Sequence, residues 1–467
     1  MAPLLHAVTV VSTPASWPPP TAATVGGYTV GVTTGGAPRG AADGHWDLLL
    51  TCLSVYVMTG VGRLHQLFDF LNPLHLTLLS AGLATVAYMI SAGPARRLRP
   101  VLRLRITRFL LAMTLWVALS IVGALWPGGA FHLLTDQFLK VVLMFVVLVG
   151  AVRGFRDVER LAFVYMLSVG IYAAVVLARF NVGGDRWRLA GLYYYDANEF
   201  GTLAVMCLPL AVYFLVRPNP LWRRLVSAGT AVVLVIGFIW TGSRGGFLAV
   251  LAVGAFLLLR FTAIRARWRI LTTSLFALLF AATATDNYWK GMKTLLQPKE
   301  DYNMTDDAGR VKVWKRGVGY MLQHPVFGVG GANFPTAEGT LSPLAAEALL
   351  GRPVKWSVAH NSFLQVGAEL GIPGLIFFLG MFGSAFAALK RVQRNRAVQP
   401  PGARSPPAAQ LAQALMAALI AYIVGGFFLA LAYHELLYTL VALVAALQKV
   451  VGPPPLRRVP RPLVQRA

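Results

Sequence analysis

Residues Leu134–Phe180 read LTDQFLKVVLMFVVLVGAVRGFRDVERLAFVYMLSVGIYAAVVLARF, two apolar blocks joined by a short segment that carries Arg153, Arg156 and Arg160. An α-helix rises about 1.5 Å per residue, so blocks of ~20 apolar residues match a hydrocarbon core of ~30 Å. Outward from this stretch the same arrangement recurs. Apolar blocks fall near 46–61, 73–91, 108–126, 134–152, 160–180, 199–216, 225–241, 245–260, 270–285, 362–389, 409–431 and 434–450. The expectation is an all-α integral membrane protein with about 12 transmembrane helices.

The bulk composition agrees. Hydrophobic residues make up 57% of the 467 and charged residues 13%, with mean hydropathy +0.62. A soluble domain carries roughly twice that charge, about 25%. The net charge of +24 does not imply nucleic acid, because most of the Lys and Arg sit in short clusters between apolar blocks. The two cysteines, Cys52 and Cys207, lie inside apolar spans and offer neither a disulfide framework nor zinc spacing.

The charge clusters assign sides. Arg96, Arg97, Arg99, Arg103, Arg105 and Arg108 precede the third span; Arg153, Arg156 and Arg160 the fifth; Arg217, Arg223 and Arg224 the seventh. Arg260, Arg265, Arg267 and Arg269 precede the ninth, and Lys390, Arg391, Arg394 and Arg396 the eleventh. Arg457, Arg458 and Arg461 follow the last. With twelve spans all six clusters share one side, which the positive-inside rule makes cytoplasmic, along with both termini.

Five regions are expected: a disordered cytoplasmic tail over 1–44, helices one to nine over 45–285, a periplasmic loop over 286–361, the last three helices over 362–451, and a basic cytoplasmic tail over 452–467. The first tail lacks the basic start and apolar run of a signal peptide. A loop of that length is unusual without a role, and its amphipathic pattern over Val311–Leu322 predicts a small helical subdomain.

Polar residues near a membrane are functional candidates by default. On the outer side they gather in four places. Arg186 and Arg188 break the charge bias; either they clamp an anion through bidentate guanidinium bonds or they anchor at the interface beside Trp187. Asp196 and Glu199, just beyond, fit an N-cap and its N3 partner. Thr241-Gly242-Ser243-Arg244-Gly245-Gly246 is either a tight turn or a phosphate site at a helix N-terminus. Arg310, after Asp307-Ala308-Gly309, is either a further anion ligand or a solvated helix start, and His324-Pro325 reads as a helix end. His360-Asn361 sits where the long loop returns to the membrane; it serves as a cap or as a base, since histidine titrates near neutral pH. Lys140, inside the fourth span, either reaches a lipid phosphate or snorkels to the interface.

Taken together, these residues resemble a known family. His360-Asn361, nine residues, then Gly371-x-x-Gly374 is similar to the His-[Asn/Ser/Gln]-x9-Gly-x-x-Gly pattern of bacterial O-antigen ligases, and Arg188-x3-Leu192 to their Arg-x3-Leu element. The Thr241–Gly246 run and the Gly309-Arg310…His324-Pro325-x-Phe327-Gly328-x-Gly330 run resemble segments of the wider O-antigen ligase and polymerase superfamily. The resemblance implies a glycosyltransferase of the GT-C type in the bacterial inner membrane, working in lipopolysaccharide biosynthesis. It would transfer a polysaccharide from undecaprenyl diphosphate to a sugar hydroxyl of lipid A-core at the periplasmic face, with no metal or other cofactor and no nucleic-acid partner. In that reading Arg188 and Arg244, then Arg186 and Arg310, stabilise the departing diphosphate, His360 is the base, and Asn361 and Lys140 support them. Alternative readings are an O-antigen polymerase or a protein O-glycosyltransferase using the same donor, and a polysaccharide flippase. A transporter usually shows repeated halves or broken helices near the midplane, which the sequence does not.

Overall fold

The computed structural model describes residues 46–91, 93–179, 189, 192, 194–261, 265–284, 286–293, 297, 302–307, 309–345, 351, 356–394 and 406–451. Arg186 and Arg188 and the tails over 1–44 and 452–467 lie outside the described residues. Among the described residues the regular structure is helical, with no strand. Eight of these helices are long and apolar enough to cross a membrane, as an integral membrane protein requires.

In chain order the main helices are α1 (Leu48–Gly60), α2 (Leu76–Ile90), α3 (Pro94–Arg103), α4 (Arg105–Ser120), α5 (Leu139–Ala151), α6 (Phe155–Arg179), α7 (Ala197–Val216), α8 (Leu221–Thr241), α9 (Arg244–Arg260) and α10 (Ala266–Thr283). They continue with α11 (Arg310–Gln323), α12 (Phe334–Thr340), α13 (Ser362–Arg394), α14 (Pro407–Gly426) and α15 (Glu435–Val451). Each of the twelve apolar blocks overlaps a helix. Two features exceed what hydropathy showed. The basic segment before the third span forms its own helix, α3, opened by Pro94 after Gly93 in a left-handed conformation. Helix α5 begins further back, through Pro127–His132 and one π-helical turn over Leu133–Phe138.

Helices α7 and α14 are central. Of their apolar windows 72% is buried, against 17% for Asp69–Ile90, whose side chains are left for lipid. Contacts sort the helix ends into two groups. At one end Arg153 pairs with Asp47 (2.8 Å), Arg217 with Glu159, and Arg160 lies over Trp46. Lys449 there donates to the carbonyls of Val149 and Gly150. At the other end lie the C-terminus of α1, the turn between α8 and α9, and the N-termini of α7, α13 and α15.

Helix α14 stops at Gly426, five residues short of the apolar block. Residues 427–434 leave the helix although they are as apolar as those before them, because neighbouring side chains satisfy their backbone. The Ser362 hydroxyl donates to Leu429 O and accepts from Leu431 N–H. Tyr422 donates to Leu431 O and Tyr438 to Ala432 O. Irregular backbone at membrane depth is tolerated only where protein supplies such partners.

The 286–361 region carries α11 and α12. The amphipathic pattern resolves into α11, which buries Val313, Gly317 and Tyr320. With Val329, Phe334, Ala337, Ala359 and Ala368 of α13, two of these, Val313 and Tyr320, form a small core of their own. Arg316 makes a two-pronged bond to buried Glu338, which also accepts from Tyr320 (2.8 Å). The Glu338 carboxylate raises the Arg316 pKa, and burial raises that of Tyr320.

The region is also bolted to α13 through two glycine-rich runs. His324 caps the end of α11. Val329 N–H then donates to Ala368 O, Gly330 N–H to Glu369 O, and Ile372 N–H to Pro325 O. Gly328 (φ +66°) lies against the backbone of Ala368 and Glu369, and Gly371 (φ +69°) against the carbonyls of Pro325 and Val326. A Cβ at either would collide with backbone, and both sit in the left-handed region that favours glycine. Buried Glu369 completes the joint, accepting from Ala332 N–H, Phe334 N–H and the Tyr433 hydroxyl.

Candidate functional site

His360 stands two residues before α13 and adopts φ +46°. A left-handed backbone on a non-glycine residue is strained by about 1–2 kcal/mol and persists only where the surroundings over-determine it. They do so here on both sides. Trp314 of α11 donates its indole N–H to Ala359 O (3.1 Å). Asn361 is buried, and its side-chain oxygen accepts from the N–H groups of both Phe363 and Leu364 (3.0 Å each). Asn361 is therefore the N-cap of α13. The half-buried His360 is thus held at the start of α13, whose first segment runs to a break at Gly371, and the N-terminus of that segment carries partial positive charge.

The Thr241–Gly246 run is a tight turn that leads into the start of a helix. Gly242 ends α8 at φ +59°, and Ser243 caps α9 by accepting from Gly246 N–H (3.1 Å). Arg244, half-buried, is the first residue of α9. The turn packs on α7, where a Cβ on Gly201 would lie 3.1 Å from Thr241 Oγ1. Leu189 reaches the same place, donating its N–H to Trp240 O (2.7 Å). Asp196 and Glu199 form the reciprocal capping box at the start of α7. Arg310 opens α11 after Gly309 and is half-buried.

Two aromatic residues bring these elements together. The Trp314 ring lies 5.3 Å from that of Phe427 and 6.1 Å from that of Phe428, and Phe428 presses on Gly245, beside Arg244. One continuous set of contacts therefore runs from the α9 start, across 427–428, through α11 to the backbone before His360. Of the residues singled out in the sequence, Arg244, Arg310, His360 and Asn361 sit on these converging elements. Lys140 lies elsewhere on the same end, exposed on the first turn of α5 and close enough to Glu435 for their charges to interact.

Sequence reasoning passed over Arg63. It stands in the connection between α1 and α2, with φ +51° and its guanidinium 3.7 Å above the Tyr194 ring. The rule that singled out Arg186 and Arg188, a positive charge against the side bias, applies equally to Arg63. Tyr433 and Asn333 were also missed, and no local signal marks them; Tyr433 donates to Glu369, and Asn333 accepts from Trp126 N–H, each far along the chain. Among the described residues, no three His, Cys, Asp or Glu side chains gather as a metal ion would need.

Residues 229–379 match the family model described as O-antigen ligase. The matched stretch holds the Thr241–Gly246 turn, Arg310, His360-Asn361 and Gly371-x-x-Gly374. It supports a member of the O-antigen ligase/polymerase family, which implies a glycosyltransferase-like membrane enzyme. No curated protein matches the chain.

Proposed function

We propose that this chain is an O-antigen ligase, a multi-pass enzyme of the bacterial inner membrane that moves a polysaccharide from undecaprenyl diphosphate to a sugar hydroxyl of lipid A-core. The observation that carries the reading is the convergence of the elements bearing Arg244, Arg310 and His360 at one end of the bundle. Twelve spans would make that end periplasmic, since the basic clusters collect at the other. There the segment over 286–361 would lie as a small helical subdomain on the outer face.

The chemistry follows from the groups present. The acceptor hydroxyl oxygen attacks the anomeric carbon from the side opposite the diphosphate, forming a new glycosidic bond with inversion. The bond to the diphosphate breaks, and undecaprenyl diphosphate leaves with the electron pair. A sugar hydroxyl is a weak nucleophile, so an imidazole nitrogen of His360 takes its proton as the bond forms. Guanidinium groups of Arg244 and Arg310, with Arg186 and Arg188, offset the charge on the departing oxygens. Lys140 and Asn361 act in support, Asn361 by fixing the backbone that presents His360.

The test is reconstitution of the purified chain in vesicles with lipid-linked polysaccharide and lipid A-core, in the presence of a chelator. Polymer appearing on lipid A-core supports the ligase and the metal-independent route together. Chain extension on the lipid carrier instead would identify a polymerase. Transfer only when a periplasmic protein replaces lipid A-core would identify a protein O-glycosyltransferase.

A further inference from the structure

We propose that Arg63, Tyr194, His434 and Glu435 form a saccharide-binding subsite beside the Arg244 and His360 elements. The cluster joins three separate parts of the chain. The Arg63 guanidinium lies over one face of Tyr194, a residue that is 39% exposed. The His434 ring stands 6.1 Å from that of Tyr194. Arg63 and Glu435 approach to 3.8 Å, too far for a hydrogen bond. Among the described residues Arg63 Nε and Glu435 Oε2 are buried and have no hydrogen-bond partner. Buried polar atoms almost always have one, so this ion pair leaves hydrogen-bonding capacity on both sides, and a small rearrangement of the pair would offer an adjoining donor and acceptor to an occupant. Gly60 makes room for the arrangement, since a Cβ there would sit 2.6 Å from Glu435 Oε2. Arg63 is also held in the same rare left-handed conformation as His360.

The chemistry of the occupant follows from the pair. A phosphate needs donors alone and would face the Glu435 carboxylate. A simple cation would face Arg63 and Lys140. A sugar hydroxyl both donates and accepts, and the apolar face of a sugar ring stacks on an aromatic ring such as Tyr194. The location fits as well. Residues 427–434 carry Phe428 against Gly245, pass the two bonds to Ser362, and end at His434, next to Glu435. If the diphosphate sits at Arg244 and His360, as the proposed function holds, the sugars adjoining it reach this cluster.

The occupant is either the donor polysaccharide or the acceptor core, and both are polyhydroxyl. The experiment measures binding of two soluble probes to the full chain in detergent by calorimetry: core oligosaccharide freed from lipid A, and polysaccharide freed from its lipid carrier. Tyr194→Ala and Glu435→Gln are expected to weaken one probe about tenfold, the scale of one lost aromatic or charged contact. The probe affected tells donor from acceptor. Tyr194 is exposed, so Tyr194→Ala decides alone if Glu435→Gln does not fold. Unchanged affinity for both probes, or no binding of either to the wild-type chain, overturns the subsite. Binding lost in Tyr194→Ala while the wild-type chain transfers nothing in vesicles overturns the transferase reading and leaves the subsite standing.

Discussion

Replacing Gly371 with alanine tests whether the Gly371-x-x-Gly374 element is there for shape rather than chemistry. Gly371 has φ +69°, where a Cβ costs about 1–2 kcal/mol by backbone strain alone. The new methyl would also press on the carbonyl oxygens of Pro325 and Val326, which are backbone and cannot rotate away. Relief of that clash would stretch the Ile372 N–H to Pro325 O bond (2.8 Å) and the Trp116 indole bond to Leu370 O (2.9 Å). Each is worth about 0.5–1.5 kcal/mol. The sum is about 2–5 kcal/mol of destabilisation. Gly383→Ala is the control, because it lies on the same helix with nothing within 4 Å of its added Cβ. There the change should be neutral or stabilising by up to about 1 kcal/mol. Both variants would be heated in detergent and the surviving monodisperse fraction followed by size-exclusion chromatography. Gly371→Ala should lose its monomer peak several degrees before wild type, and Gly383→Ala should not. If the two variants melt together, the joint between the loop region and α13 does not hold Gly371 against the Pro325 and Val326 carbonyls.

His360→Ala should lower transfer by about 10²–10⁴-fold, the usual contribution of a general base, with melting close to wild type; near-normal lipopolysaccharide ladders in cells would refute its role. Arg244→Ala should abolish transfer and Arg244→Lys should restore little of it, since an ammonium does not reproduce the guanidinium fork; full rescue by Lys in the vesicle assay would mean that only charge is needed. Asn361→Ala removes a cap that serves two N–H groups, so it should cost about 1–2 kcal/mol in the same thermal assay and reduce transfer without abolishing it.

The membrane helices were legible because a span needs a length and a lack of charge, and both are local. The capping box of Asp196 and Glu199 and the amphipathic α11 were legible for the same reason. The end of α14 was not. Phe427-Phe428-Leu429 reads as helix, and what unwinds it is a serine 67 residues earlier that satisfies Leu429 O. The glycines of the two motif runs could be recognised in sequence, but their reason could not. Gly328 and Gly371 each fit against backbone that lies some 40 residues away in the chain, and only the fold brings the two runs together. The candidates Arg244, Arg310 and His360 stood out because each sits in a short local pattern, a glycine-rich helix start for the arginines and the return of the long loop to the membrane for the histidine. Arg63 breaks the charge bias as Arg186 and Arg188 do, and went uncounted for want of a recognisable motif around it.

The 427–434 segment has a consequence for how the chain assembles. Its backbone groups are satisfied by Ser362, Tyr422 and Tyr438, from three different helices, and Leu436 beyond it accepts from Tyr165 of a fourth, α6. Until those helices have met, the peptide groups of the segment lack these partners. Pairwise docking of helices therefore cannot settle it, and α14 and α15 complete their joint only on a bundle that already contains α6 and α13.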